Sequence, residues 1–133
     1  IDNVSNVSTK MSMLNSEITK EWVQARIKFY QCDFEEFNFE GLKSEHLIDV
    51  YLFDGPHKAK DQYNGIVKAY PALADVCVVL VDDWNWQGPR EGTYKAFKEL
   101  GVTIEHQFEI FPPPDGYIPA EWHNGVAIFV ISK

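Results

Sequence analysis

The sequence predicts a three-layer α/β domain: a mostly parallel sheet with an antiparallel edge strand, flanked by helices. Three observations carry this. Short apolar, β-branched runs alternate with amphipathic helical stretches, the pattern of a parallel sheet with crossover helices. Val76 to Val81 (VCVVLV) is uniformly apolar, as suits a central strand buried on both faces. The last two strand-like runs are joined by a long connection with three consecutive prolines and no helical pattern, which suggests an antiparallel pair closing one edge of the sheet.

In chain order, Met11 to Arg26 is polar with Met13, Leu14, Ile18, Trp22 and Val23 at spacings that form one apolar helical stripe. Ile27 to Cys32 reads as a short strand ending at Asp33, and Phe34 to Leu42 as a loop with a turn of helix. Leu47 to Phe53 is a strand that runs into Asp54-Gly55-Pro56-His57. The next helix covers Lys58 to Tyr70, with a bend expected at Asn64-Gly65 and a stop at Pro71. After the Val76–Val81 strand come Asp82-Asp83, then a helix opened by Gly88-Pro89, where a proline in the first turn sacrifices no hydrogen bond. Tyr94, Phe97 and Leu100 are its expected core face and Gly101 its terminator. Val102 to Phe111 and Gly125 to Ser132 are the final strands, joined by the loop Pro112 to Asn124.

A length of 133 residues suits one domain, residues 1–133, with one core. The net charge of −8 without a Lys/Arg cluster argues against nucleic acid and anionic membranes, since phosphate binding needs concentrated positive charge. A small-molecule substrate or a protein partner fits better. No stretch approaches the ~20 apolar residues of a membrane span, and no charged-then-apolar leader opens the chain, so the expected location is cytoplasmic. Without such a leader, the acceptor patterns at Asn3 and Asn6 read as chance. Cys32 and Cys77 each sit in an apolar run and are expected to be buried free thiols.

Two strands end in carboxylates, Asp54 after one and Asp82-Asp83 after the other. In open α/β sheets ligands bind beyond the carboxyl ends of parallel strands. If the two strands are neighbours, three carboxylates converge with His57 close behind. They repel one another unless something positive sits among them, and a divalent cation, Mg²⁺ most naturally, meets that need. Equally, Asp54 and Asp83 suit the caps of the elements that follow. His57 has the pKa of a general base, or it is a helix-start residue bonded to backbone. His46, His106 and His123 lack carboxylates at ligand spacing and are expected in surface or packing roles. Trp84 and Trp86 either wall a substrate site or pack beneath their loop. Glu35, Glu36 and Glu40 are expected on a solvated face.

The segment IDVYLFDGPHKAKDQY followed by VCVVLVDDWNW resembles the fourth and fifth strands of class I, S-adenosylmethionine-dependent methyltransferases. It is nearest to the macrolide and sugar O-methyltransferase group, whose strands end in D-G-D-H and D-D-Y/W. Ile1-Asp2-Asn3 resembles the end of that family's second strand, and Cys32-Asp33 the end of its third. Asn124-Gly125-Val126 leading into IFVIS resembles its last strand. The resemblance implies S-adenosylmethionine as cofactor of the full-length parent, with Asp2 at its ribose and Asp33 at its adenine. It also implies Asp54, Asp82 and Asp83 as Mg²⁺ ligands and His57 as catalytic base. Pro56 replaces the third residue of D-G-D, and the family's first strand with its G-x-G loop has no counterpart in this sequence. The expectation is therefore an N-terminally truncated fold, its C-terminal two-thirds. The family's first strand lies between the second and fourth, so Leu47–Phe53 is expected to have an unpaired edge that favours a homo-oligomer. A noncatalytic oligomerising remnant without cofactor is the alternative, and a metal-dependent hydrolase using Asp54, Asp82, Asp83 and His57 a third reading.

Overall fold

The computed structural model describes Lys28, residues 30–112 and residues 124–133. Two compact units result, Ile1–Asp33 and Phe34–Lys133. In the first unit the described residues, Lys28 and 30–33, lie in no helix or strand, which does not match the strand expected over Ile27–Cys32. Cys32 is exposed, contrary to expectation, whereas Cys77 is buried. The helix expected over Met11–Arg26 lies outside the described residues.

The second unit opens with a 3₁₀ turn, Phe34–Glu36, and a short helix α1 (Phe39–Lys43), where Asn38 caps the Gly41 N–H. There follow strand β1 (Ile48–Phe53), helix α2 (Ala59–Ala69) and strand β2 (Leu73–Asp82). Helix α3 (Gln87–Leu100) and strands β3 (Thr103–Ile110) and β4 (Val126–Ser132) complete it. The sheet order is β1-β2-β4-β3. β1 and β2 are parallel, and β4 runs antiparallel to both its neighbours. The final two strands thus form the expected antiparallel pair at one side of the sheet, but the reversed strand is the inner one. Edge strand β3 points the same way as β1 and β2.

Both long helices pack on the face of the sheet that carries Tyr51, Val79, Val81, Phe129 and Ile131, all buried in one cluster with Ile66 and Phe97. α2 runs unbroken through Gly65, where a bend was expected. Glycine stands there for close packing: a Cβ would lie 2.7 Å from the Phe53 ring, and the Gly65 carbonyl accepts the Tyr51 hydroxyl at 2.7 Å. α3 ends as its sequence indicates, with Gly101 in the left-handed conformation at φ 70°. Tyr94 is more exposed than expected, its ring lying edge-on to Trp84 while Phe97 fills the core.

The opposite face is apolar and has no described helix against it. Strand register lines up Leu52, Leu80, Ile128 and Phe108 in one row across all four strands, and Val50, Val78 and Val130 in the next. Leu52, Phe108 and Val50 are more than half exposed. The burial on both faces expected for Val76–Val81 is therefore seen on one face only: Cys77, Val79 and Val81 are buried, and Val76 is exposed. No helix among the described residues is long and apolar enough to cross a membrane.

Candidate metal centre at the carboxyl edge of the parallel strands

β1 and β2 end level, Phe53 pairing with Val81, so the residues that leave both strands meet at one edge of the sheet. His57 Nε2 lies 2.6 Å from Asp83 Oδ2. The other oxygen of Asp83 accepts the Asn124 amide at 2.9 Å. One donor atom from each of Asp54, His57 and Asp83 falls within 4.8 Å of the other two. Asp83 is buried, and its two partners offset the cost of removing a carboxylate from water. Asp54 and His57 are exposed, which leaves the cluster open to solvent on one side.

Local backbone chemistry builds this arrangement. Asp83 leaves the strand at φ 53°, a left-handed conformation that aspartate tolerates better than most residues. Asn124 and Gly125 take the same region at φ 61° and 80°, and their carbonyls accept the N–H groups of Asn85 and Trp84. The start of β4 is thereby stitched to the loop after β2. On the other side, α3 lies against the backbone that carries His57. A Cβ on Gly88 would sit 2.1 Å from the His57 carbonyl oxygen, and one on Gly92, a turn later, 2.3 Å from that of Ala59.

Asp82 stands apart from the cluster. Strand alternation puts it on the face opposite Val81, and its carboxylate accepts the N–H of Asp83 at 2.9 Å. The two tryptophans divide between their alternatives. Trp84 is fully buried, its indole N–H donating to Glu109, its ring edge-on to Phe129. Trp86 is 42% exposed and meets the His57 ring edge-on, centroids 4.5 Å apart. His46 and His106 are exposed, as expected, and His123 lies outside the described residues. Of the expected cofactor contacts, Asp2 also lies outside them, and Asp33 is exposed in the first unit. Asn124 and Gly88 were missed in the sequence. An Asn-Gly pair entering a strand was the available signal for the first; nothing local marks the second.

Chemically, two oxygens and an imidazole nitrogen fit a divalent cation. Neighbouring donors about 2.1 Å from such an ion lie about 3.0–3.4 Å apart, so a pair at the 4.8 Å limit has to close by about 1.4–1.8 Å for all three to bind one ion. Without an ion, Asp83 instead orients the imidazole, holding its proton on Nε2 and leaving Nδ1 as an acceptor. No protein-family model and no curated protein matches the chain.

Proposed function

We propose that the chain is part of an S-adenosylmethionine-dependent O-methyltransferase that acts on a small-molecule hydroxyl with the help of a divalent metal. The observation that supports this most is the meeting of Asp54, His57 and Asp83 beyond the ends of two parallel strands, where α/β sheets bind ligands. A bound cation would acidify the acceptor hydroxyl and hold its oxygen for in-line attack. Asp54 and Asp83 would hold that cation, with Asn124 fixing the Asp83 carboxylate from behind. Trp86 offers an apolar wall beside the open side of the cluster, which suits an acceptor with a nonpolar or ring-shaped body. His57 is placed to take the acceptor's proton or to join the ligand set. The bare outer edge of β1, which no described strand pairs, agrees with an expected neighbour on that side.

The test is calorimetric titration of S-adenosylmethionine into this chain and into a longer chain that supplies a glycine-rich first strand. Binding by the longer chain supports the reading, and its failure with both removes it.

A second reading, a noncatalytic domain that associates with a second copy, is favoured by the exposed Leu52, Phe108 and Val50 on the bare sheet face. Such a patch favours self-association. A dimer in light scattering together with no cofactor binding by either chain would select it.

A further inference from the structure

We infer that His57 is a metal ligand rather than the proton acceptor, and that the Asp54–His57–Asp83 cluster selects a first-row transition metal such as Mn²⁺ over Mg²⁺. This rests on the metal-assisted reading above and narrows it to one class of ion and one role for His57.

The all-carboxylate set expected from the sequence does not assemble. Asp82 is turned to the other face of the sheet and is bonded to the Asp83 N–H. The group that does assemble has the His57 imidazole in it, Nε2 lying 2.6 Å from Asp83 Oδ2. Asp54 completes the group, and it is exposed and hydrogen-bonded to no described residue. No Lys or Arg among the described residues pairs with Asp54 or Asp83. Asn124 engages Oδ1 of Asp83 and leaves Oδ2 facing Nε2, so an ion bound by both would replace the Nε2–H···Oδ2 hydrogen bond, with the imidazole proton carried on Nδ1. Trp86 lies edge-on to the imidazole, ring centroids 4.5 Å apart.

The donor set then decides the ion. Mg²⁺ prefers oxygen ligands and keeps its waters, whereas a set that includes imidazole favours the first-row transition metals, with affinity rising from Mn²⁺ through Fe²⁺ to Co²⁺. Three protein donors on one side leave the solvent-facing positions open, the form taken by catalytic rather than structural sites. An acceptor with two neighbouring oxygens would fit those positions.

The experiment is metal titration of the chain, read by thermal unfolding and by pulsed electron paramagnetic resonance. Mn²⁺ is expected to protect at a concentration at least about tenfold below Mg²⁺. The bound Mn²⁺ should show hyperfine coupling to one imidazole ¹⁴N. His57→Gln should abolish the coupling and the Mn²⁺ preference, and Asp82→Asn should change neither. Equal protection by Mg²⁺ and Mn²⁺, an absent nitrogen coupling, or loss of binding in Asp82→Asn would each overturn the inference. The wild-type spectrum decides the matter even if His57→Gln does not fold. Nitrogen-ligated Mn²⁺ without S-adenosylmethionine binding by the longer chain would keep the metal site and remove the methyltransferase reading. Cofactor binding without any metal effect would do the reverse.

Discussion

Replacing Gly88 by alanine tests whether close helix packing is what holds the site together. The new Cβ would start 2.1 Å from the His57 carbonyl oxygen and 3.2 Å from the Ala59 nitrogen. Such contacts are not seen below 3.0 Å, so α3 and the Asp54–Lys58 loop must separate by at least 0.9 Å. Both sides are backbone, and no flexible side chain can absorb the shift. Overpacking of this kind costs about 1–3 kcal/mol, against a helix-propensity gain of up to about 1 kcal/mol for alanine over glycine. The net loss of about 1–2 kcal/mol corresponds to a fall in Tm of about 3–10 °C for a domain of this size. A 0.9 Å displacement along the His57–Asp83 contact would stretch it from 2.6 Å to about 3.5 Å, the limit of a hydrogen bond. Metal-dependent protection should therefore weaken beyond what lost stability explains. Gly101→Ala is the control: its Cβ meets nothing within 4 Å, and its cost comes only from φ 70°. That strain is about 1–2 kcal/mol, and it should leave the metal response intact. Melting curves of both variants with and without Mn²⁺ are the assay. A Gly88→Ala protein with unchanged Tm and unchanged Mn²⁺ response would refute the packing argument.

Tyr51→Phe removes a buried hydroxyl that donates to the Gly65 carbonyl and should lower stability by about 1–2 kcal/mol. A urea midpoint equal to wild type would contradict it. Thr93 is fully buried and its hydroxyl meets no hydrogen-bond partner among the described residues. Thr93→Val should therefore stabilise by about 0.5–1.5 kcal/mol, and a lower urea midpoint would show that the hydroxyl is satisfied after all. Burial pushes the Cys77 thiol above its ordinary pKa, Asp49 adds to the rise, and Lys133 offsets part of it. The thiolate is the reactive form, so at pH 8 a thiol reagent should label exposed Cys32 at least about tenfold faster than Cys77. Equal rates in the folded protein would count against that burial.

The fold was legible where the local pattern was strong. Strand ends at Phe53 and Asp82, the proline-opened helix and its Gly101 terminator follow from period, turn residues and caps that act within a few positions. What the pattern could not carry was long-range. VCVVLV reads as buried on both faces, but whether Val76 is covered depends on what packs there, and no composition rule supplies that. Gly65 reads as a helix weakness, yet its role is set by Phe53 and Tyr51 on another element. The order β1-β2-β4-β3 likewise depends on β4 inserting beside β2, which the spacing of the last two strands leaves undetermined.

The site shows the same division at the scale of two residues. Asp82 and Asp83 read as a pair of ligands because they are adjacent and acidic, but adjacent residues of a strand project to opposite faces. Asp82, the last residue of β2, lies opposite the buried Val81, while Asp83 has left the strand at φ 53° and its carboxylate meets His57 and Asn124. Period two argues against Asp82 as a ligand, but it does not place Asp83, whose position depends on its left-handed backbone and on Asn124. The gap it leaves has to be filled from another strand end. His57 follows Asp54 by three residues, and the close approach of Gly88 brings its backbone to α3. The expectation follows that Asp83→Asn disables the centre while Asp82→Asn spares it. Asp83→Asn also disturbs the contacts of a buried carboxylate with His57 and Asn124, so Mn²⁺ protection is read in each variant against its own metal-free Tm. Mn²⁺ protection measured side by side separates them, and equal loss in the two would mean that both carboxylates reach the ion and that strand alternation does not govern this edge of the sheet.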